Sequence, residues 1–163
     1  SKKLEDRNII PLNIVSKNAY IDEESLLGKG IQLFPNSIVQ TNAKVGDYSI
    51  INTGAILEHD CILGNGVHMM PGSVIGGNAT IGNYVTIGLN ATVMPKIQVA
   101  DGAYIGAGAV VTKKVGKNEV WAGNPAKKIG YISDEGDLLD LELVSKKSGK
   151  KYLLINKNLL KND

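Results

Sequence analysis

A single cysteine, Cys61, is the only thiol in this 163-residue chain, which excludes an internal disulfide framework and suits a reducing cytoplasm. No apolar run approaches the roughly 20 residues that a membrane helix needs. No signal peptide opens the sequence, so a cytoplasmic location is expected. Net charge is only +2, so neither nucleic acid nor a membrane is an expected partner. The Lys-rich run 146–151 is short, contains Ser and Gly, and reads as a solvated turn. Histidine is scarce too: His59 and His68 are the only two. A zinc-dependent hydration site would need three histidines on one ion, so no metal is expected. What the chain does have is 19 glycines without low complexity, which points to a periodic use of them.

That period is six. From Val15 to residue 116 the first position of 17 consecutive hexads is always aliphatic or Met: Val15, Ile21, Leu27, Leu33 and so on to Ile105 and Val111. A helix of period 3.6 cannot hold such a register, and a lone amphipathic strand alternates by two. Position five is Ala, Ser or Cys in 12 of the 17, and Val or Ile in the rest. Each hexad therefore sends one large and one small side chain inward. Position four is Gly or Asn in 11 of the 17, the residues that best tolerate a left-handed backbone at a corner. A short strand and a corner every six residues close a triangular coil after 18. The fold class expected is all-β, a parallel β-helix over 15–116 without an inserted loop.

The flanks lie outside the repeat. Residues 1–14 read as the remnant of an upstream domain or a linker, with Lys2–Asn8 as a helix end stopped by Pro11. Residues 117–163 read as a C-terminal cap or extension. It holds a strand-like Glu-Val-Trp-Ala at 119–122 and a Gly-Asn-Pro turn. Leu138–Val144 and Tyr152–Asn156 are candidate hairpin partners, or alternatively helical. A cap is expected because the open end of a coil exposes strand edges.

Nine residues separate the two histidines, half of an 18-residue turn. His59 and His68 thus fall on opposite sides of one prism and cannot share a site within one chain. Packing around a three-fold axis brings His59 of one chain to His68 of the next, so a homotrimer with sites between subunits is expected. Residues 18 apart stack along the axis, which places Thr41, Gly77, Pro95 and Lys113 in the column of His59. Gly77 leaves a groove beside the imidazole in which a long, narrow ligand fits, with a main-chain N–H near Gly76 or Gly77 as an oxyanion donor. Lys113, Lys114, Lys117, Lys127 and Lys128 gather toward the C-terminal end, where a polyanionic tail is favoured. Asn52 and Thr53 precede His59 by about one face and are candidate substrate contacts. A plain Asn ladder is the competing reading.

The hexads, the segment NTGAILEHDCILGNGVHMMPGSVIGG, the later IGAGAVVTK and the closing AGNPAKK resemble the hexapeptide acyltransferases. They look most like the sialic acid O-acetyltransferase and bacillosamine or perosamine N-acetyltransferase group (NeuD/PglD type), over about residues 10–130. The resemblance implies the left-handed form of the coil, an exception to the right-handed crossover rule. It also implies acetyl-CoA as co-substrate in the cleft between chains; the column of His59 offers Gly77, with Gly76 beside it, Pro95 and Lys113 as its contacts, with Lys127 or Lys128 on its phosphates. The His of the H-[DE]-C motif is the family's general base, which falls on His59. The acidic residue after it, Asp60, orients or polarises that base. The second histidine, His68, reaches donor or substrate from the adjacent subunit. A sugar-nucleotide-binding domain usually precedes the coil, and the tail beyond about Ile129 departs from the family pattern.

Acetyl transfer from a thioester needs a nucleophile relieved of its proton and a donor to the developing oxyanion. A neutral imidazole suits the first task near pH 7. No Ser–His–Asp arrangement is visible, and Cys61 falls on an inward position as a small core residue. The expected reaction is direct transfer to an amine of a nucleotide-linked sugar in bacterial surface-glycan synthesis. O-acetylation of a sialic-type sugar uses the same base and donor and is the alternative. A non-catalytic β-helix scaffold is the other competing class.

Overall fold

A computed structural model describes residues 11–133, 135–145, 147–155 and 158–161. The helix end expected over Lys2–Asn8 lies outside them. Seventeen two-residue strands, β1 (Ile14–Val15) through β17 (Val110–Val111), begin every six residues. Each ends on a hexad's first position. Strand n pairs in parallel with strand n+3, as in Ile50–Ile51 on His68–Met69 and His68–Met69 on Thr86–Ile87. Three flat sheets result. β1, β4, β7, β10, β13 and β16 form the first face, β2 to β17 the second, and β3 to β15 the third. The register is 18 residues throughout, so the chain is a parallel β-helix of six turns.

The inward pattern follows the hexad. From Leu33 onward every first-position side chain is buried, and the small fifth-position residues Ala43, Ala55, Cys61, Ala79, Ala91, Ala103 and Ala109 fill the space between them. Each fully buried aliphatic side chain contributes roughly 1.5–3 kcal/mol of gross burial energy. Fourteen of the 17 fourth positions take a left-handed backbone. These include residues the sequence pattern did not favour there: Tyr48, Asp60, Tyr84 and Lys96, at φ 59, 58, 57 and 64°. The two tyrosines have a visible reason. Their rings lie over Gly30 and Gly66 of the preceding turn, where an added Cβ would come within 2.8 Å of the ring.

One corner, between the third and first faces, is held by a side-chain ladder. Asp47 Oδ1 accepts from the Lys29 N–H, Asn65 Oδ1 from Asp47, Asn83 Oδ1 from Asn65 and Asp101 Oδ1 from Asn83, at 2.8–2.9 Å. Each step is 18 residues. This satisfies main-chain donors that the strand ladder does not reach.

The coil closes with a shortened turn. Val115 bridges Val99 on the third face. β18 (Glu119–Ala122) then pairs in parallel with β16, matching Ile105 to Trp121 at a spacing of 16 rather than 18. β19 (Lys127–Ile132) and β20 (Leu138–Leu139) add antiparallel strands to the first face. The expected pairing of 138–144 with 152–156 is corrected here. β21 (Tyr152–Ile155) pairs instead with β22 (Asn158–Lys161), and the Val144–Lys151 bridge and a Tyr152 N–H to Leu143 O bond remain of the other arrangement. The observed register sets Leu153 opposite Leu160 and Leu154 opposite Leu159, apolar cross-strand pairs across a short connection.

A clip fixes the end of the coil. The Glu119 carboxylate accepts from the Gly116 N–H at 2.7 Å, Trp121 Nε1 at 2.9 Å and Lys128 Nζ at 3.0 Å. Lys128 also donates to Tyr131 Oη and lies 4.0 Å from that ring's centre. Burial pushes the Glu119 carboxyl up, but the hydrogen bonds outweigh it and hold it below its ordinary value. Burial likewise opposes the Lys128 ammonium, and Tyr131 and Glu119 outweigh it and raise it. A lowered carboxyl stabilises the fold above its unfolded value, about 4.3, and loses that contribution as pH falls through the folded value. A raised ammonium stabilises below about 10.4 and loses it as pH rises further. The clip is therefore at full strength between these limits. Below about pH 4 the fluorescence of Trp121, the one tryptophan, is expected to change. Glu119→Gln is expected to remove that change and to cost about 1–2 kcal/mol in a urea titration.

Candidate active site

His59 stands on the corner between the second and third faces, after β8 (Ile56–Leu57). Its backbone is pinned from above, where its carbonyl accepts from the Asn78 N–H at 2.9 Å. The Asp60 N–H donates to Thr41 O at 3.0 Å on the turn below. The left-handed φ of Asp60 folds its side chain back onto its neighbour, and His59 Nδ1 meets Asp60 Oδ2 at 2.8 Å. The carboxylate thus fixes the ring and leaves Nε2 as the working nitrogen. Both side chains stay open to solvent, at 52% and 44%.

Nε2 lies over Gly77. A Cβ built on Gly77 would come within 2.5 Å of Nε2 and 2.7 Å of Cε1, so the imidazole occupies the space that a side chain would fill. Gly76 is capped in the same way by the ring of Pro95, 2.8 Å from an added Cβ. His59, Gly77, exposed Pro95 and exposed Lys113 thus form one column, about 14 Å long at the usual strand spacing, in which Gly77 adds no side chain. The two candidate oxyanion donors now separate. The Gly76 N–H donates to Val93 O at 2.8 Å, because a hexad's second position still belongs to the strand ladder, and it is not available. Gly77, one residue into the corner, has no acceptor for its N–H among the described residues.

His68 opens β10 on the first face, away from the corner that carries His59. Asn52 Nδ2 is 3.5 Å from His68 Nε2, and Asn52 Oδ1 accepts from the Thr53 N–H at 2.8 Å. The fold thus brings Asn52, Thr53 and His68 together on one surface and His59, Asp60 and Gly77 together on another. Lys128, grouped with Lys113 by sequence, is engaged by Glu119 and Tyr131 in the clip instead. Cys61 is fully buried, donates to Gly76 O at 3.2 Å, and has its thiol pushed up by burial, all in keeping with a core role.

One feature escaped the sequence reading. Beside Asp60, on the side away from Gly77, lies an open concavity of about 380 Å³ lined by Glu24, Leu26, Asn42, Lys44, Asp60 and Ile62. Glu24, Asn42 and Asp60 form one 18-residue column and Leu26, Lys44 and Ile62 another. Extending the column arithmetic from His59 to its neighbours would have found it.

Residues 78–113 match the family described as Bacterial transferase hexapeptide (six repeats). No curated protein matches the chain. Among solved structures, a variant of GDP-perosamine N-acetyl transferase from Caulobacter crescentus, in complex with CoA and GDP-perosamine, is 29% identical. That match covers 79% of this chain and 61% of that one, with a TM-score of 0.78. The acetyltransferase domain of PglB from Neisseria gonorrhoeae is 30% identical over 78% of this chain and 62% of that one, with a TM-score of 0.77, and is also known with acetyl coenzyme A. WeeI from Acinetobacter baumannii is 32% identical over the same shares, with a TM-score of 0.75. The chain spans less than two thirds of the length of each. The coil is thus the left-handed form of the parallel β-helix. By its repeats and these likenesses the chain is similar to the hexapeptide-repeat transferases of the NeuD/PglD type.

Proposed function

We propose that this chain transfers an acetyl group from acetyl-CoA to an amine of a nucleotide-linked sugar in bacterial surface-glycan synthesis. The observation that carries the proposal is the His59–Asp60 contact of 2.8 Å, with Nε2 turned over the side-chain-free Gly77. Acetyl-CoA supplies the activated acetyl thioester. His59 Nε2 takes the proton of the neutral acceptor amine as the new C–N bond forms, and returns it to the departing thiolate as the C–S bond breaks. Asp60 holds the ring and stabilises the imidazolium between those steps. The Gly77 N–H is aimed at the carbonyl oxygen where charge develops. The groove over Gly76, Gly77 and Pro95 takes the pantetheine arm, and Lys113 meets the phosphates.

The enzyme works as a cytoplasmic homotrimer, because the Asn52–Thr53–His68 surface and the His59 corner complete each other only between chains. The acceptor sugar enters from the concavity beside Asp60, whose carboxylates favour an amino sugar over a plain hydroxyl. The relatives support this reading through the CoA and GDP-perosamine found with the Caulobacter protein. The deciding experiment is thiol release from acetyl-CoA with GDP-, UDP- and dTDP-linked amino sugars and with free sialic acid, followed by mass spectrometry. An acetamide product on a nucleotide-linked sugar is expected. Transfer only to sialic acid would replace the amine with a hydroxyl, and no turnover with any acceptor would favour a scaffold.

A further inference from the structure

The C-terminal hairpin carries an apolar face that nothing in the coil uses. Side chains alternate across β21 and β22, so Leu153, Ile155 and Leu160 share one side, exposed by 41%, 49% and 49%. On the opposite side Leu154 is exposed by 42%, and Tyr152 alone is held to the body of the protein. Tyr152 is buried there, its hydroxyl donates to Asp137 Oδ2 at 3.1 Å, and its N–H donates to Leu143 O at 2.8 Å.

Charge is segregated in the same place. Residues 145–161 contain six lysines and no acidic residue, whereas the rest of the chain has twelve basic residues against sixteen acidic. Lys147, Lys150 and Lys151 are exposed, the last two immediately before β21. Alone, that lysine run reads as a solvated turn, and the overall charge of +2 hides it. Beside an outward apolar face it reads differently. Three half-exposed aliphatic side chains fall well short of the roughly 800 Å² per partner that a stable protein interface buries. Exposed lysines beside a small apolar patch match a surface that is anionic outside and apolar just beneath.

We propose that the hairpin docks this protein on anionic lipid, with Leu153, Ile155 and Leu160 entering the interface and the lysines on the headgroups. The proposal is independent of the acetyl-transfer reading and is tested without any substrate. The full chain is sedimented with vesicles of phosphatidylglycerol and phosphatidylcholine in equal parts, and with phosphatidylcholine alone. Binding to the first only is expected, weakening with added salt. The pair Leu153→Ser and Leu160→Ser keeps every charge and is expected to weaken binding about tenfold, as is the pair Lys150→Gln and Lys151→Gln. Unchanged circular dichroism shows that the variants remain folded. Equal binding to both vesicles, no binding to either, or binding that the leucine pair leaves unchanged would overturn the proposal. So would self-association by light scattering that the leucine pair abolishes, since a second copy would then cover the face.

Discussion

His59→Ala is expected to lower acetyl-CoA-dependent thiol release by about 10²- to 10⁴-fold, the range a positioned general base supplies. The expectation rests on position as much as on residue type. The ring is held on one nitrogen by Asp60 at 2.8 Å and presents the other over Gly77, which has no side chain. Removal should leave the coil intact, because His59 is an exposed corner residue whose hydrogen bonds to the neighbouring turn are main-chain. A surface substitution of this kind stays within about 0.5 kcal/mol of the parent. Thermal melting therefore separates the two effects: turnover falls while the midpoint holds. An unchanged rate would remove His59 from the mechanism and leave the groove as a binding feature only.

Gly77→Ala is expected to do similar damage to turnover while leaving His59 in place. The added methyl carbon would lie 2.5 Å from Nε2, so the imidazole must swing away. Displacing a catalytic group by about 1 Å can cost on the order of 10²-fold. The backbone at Gly77 is not left-handed, and the displaced group is an exposed side chain, so stability should change little. Gly54→Ala is the matching control. Its φ is +65° and nothing stands within 4 Å of the new carbon. Strain there should cost about 1 kcal/mol of stability without touching the rate. Steady-state kinetics and urea titration on the two variants should thus show opposite signatures. A Gly77→Ala enzyme with the parental rate would mean that the imidazole works from another rotamer.

Most of the coil was legible in the sequence because its inward positions repeat without interruption. Val39, Leu57 and Ile75 are 18 apart and stack on one face, and nothing inserts between them to shift the count. The same arithmetic places His59 in one column with Gly77 and Pro95. It failed where the period fails. At Trp121 the last turn is two residues short, so the clip of Glu119, Trp121 and Lys128 cannot be found by counting sixes. The tail beyond it pairs by local leucine registry, and the candidate partners 138–144 and 152–156 looked as good on paper as the one formed. Main-chain bonding was also out of reach: only the coordinates show that Gly76 has its donor engaged and Gly77 does not.

The two ends of the coil differ, and that asymmetry sets where the molecule opens. In a solenoid each turn contacts only its neighbours, so cooperativity is nearest-neighbour and disruption travels inward from the ends. The C-terminal end is clipped by Glu119 and covered by β19 and β20, whereas Val15, Ile21 and Leu27 of the first turn are not fully buried. Among the described residues, opening is therefore easiest at the first turn and meets rising resistance toward the middle. His59 lies in the middle of the third turn and His68 opens the fourth, away from both ends. The His59–Asp60 contact is insulated from fraying by two whole turns on one side and a fastened cap on the other.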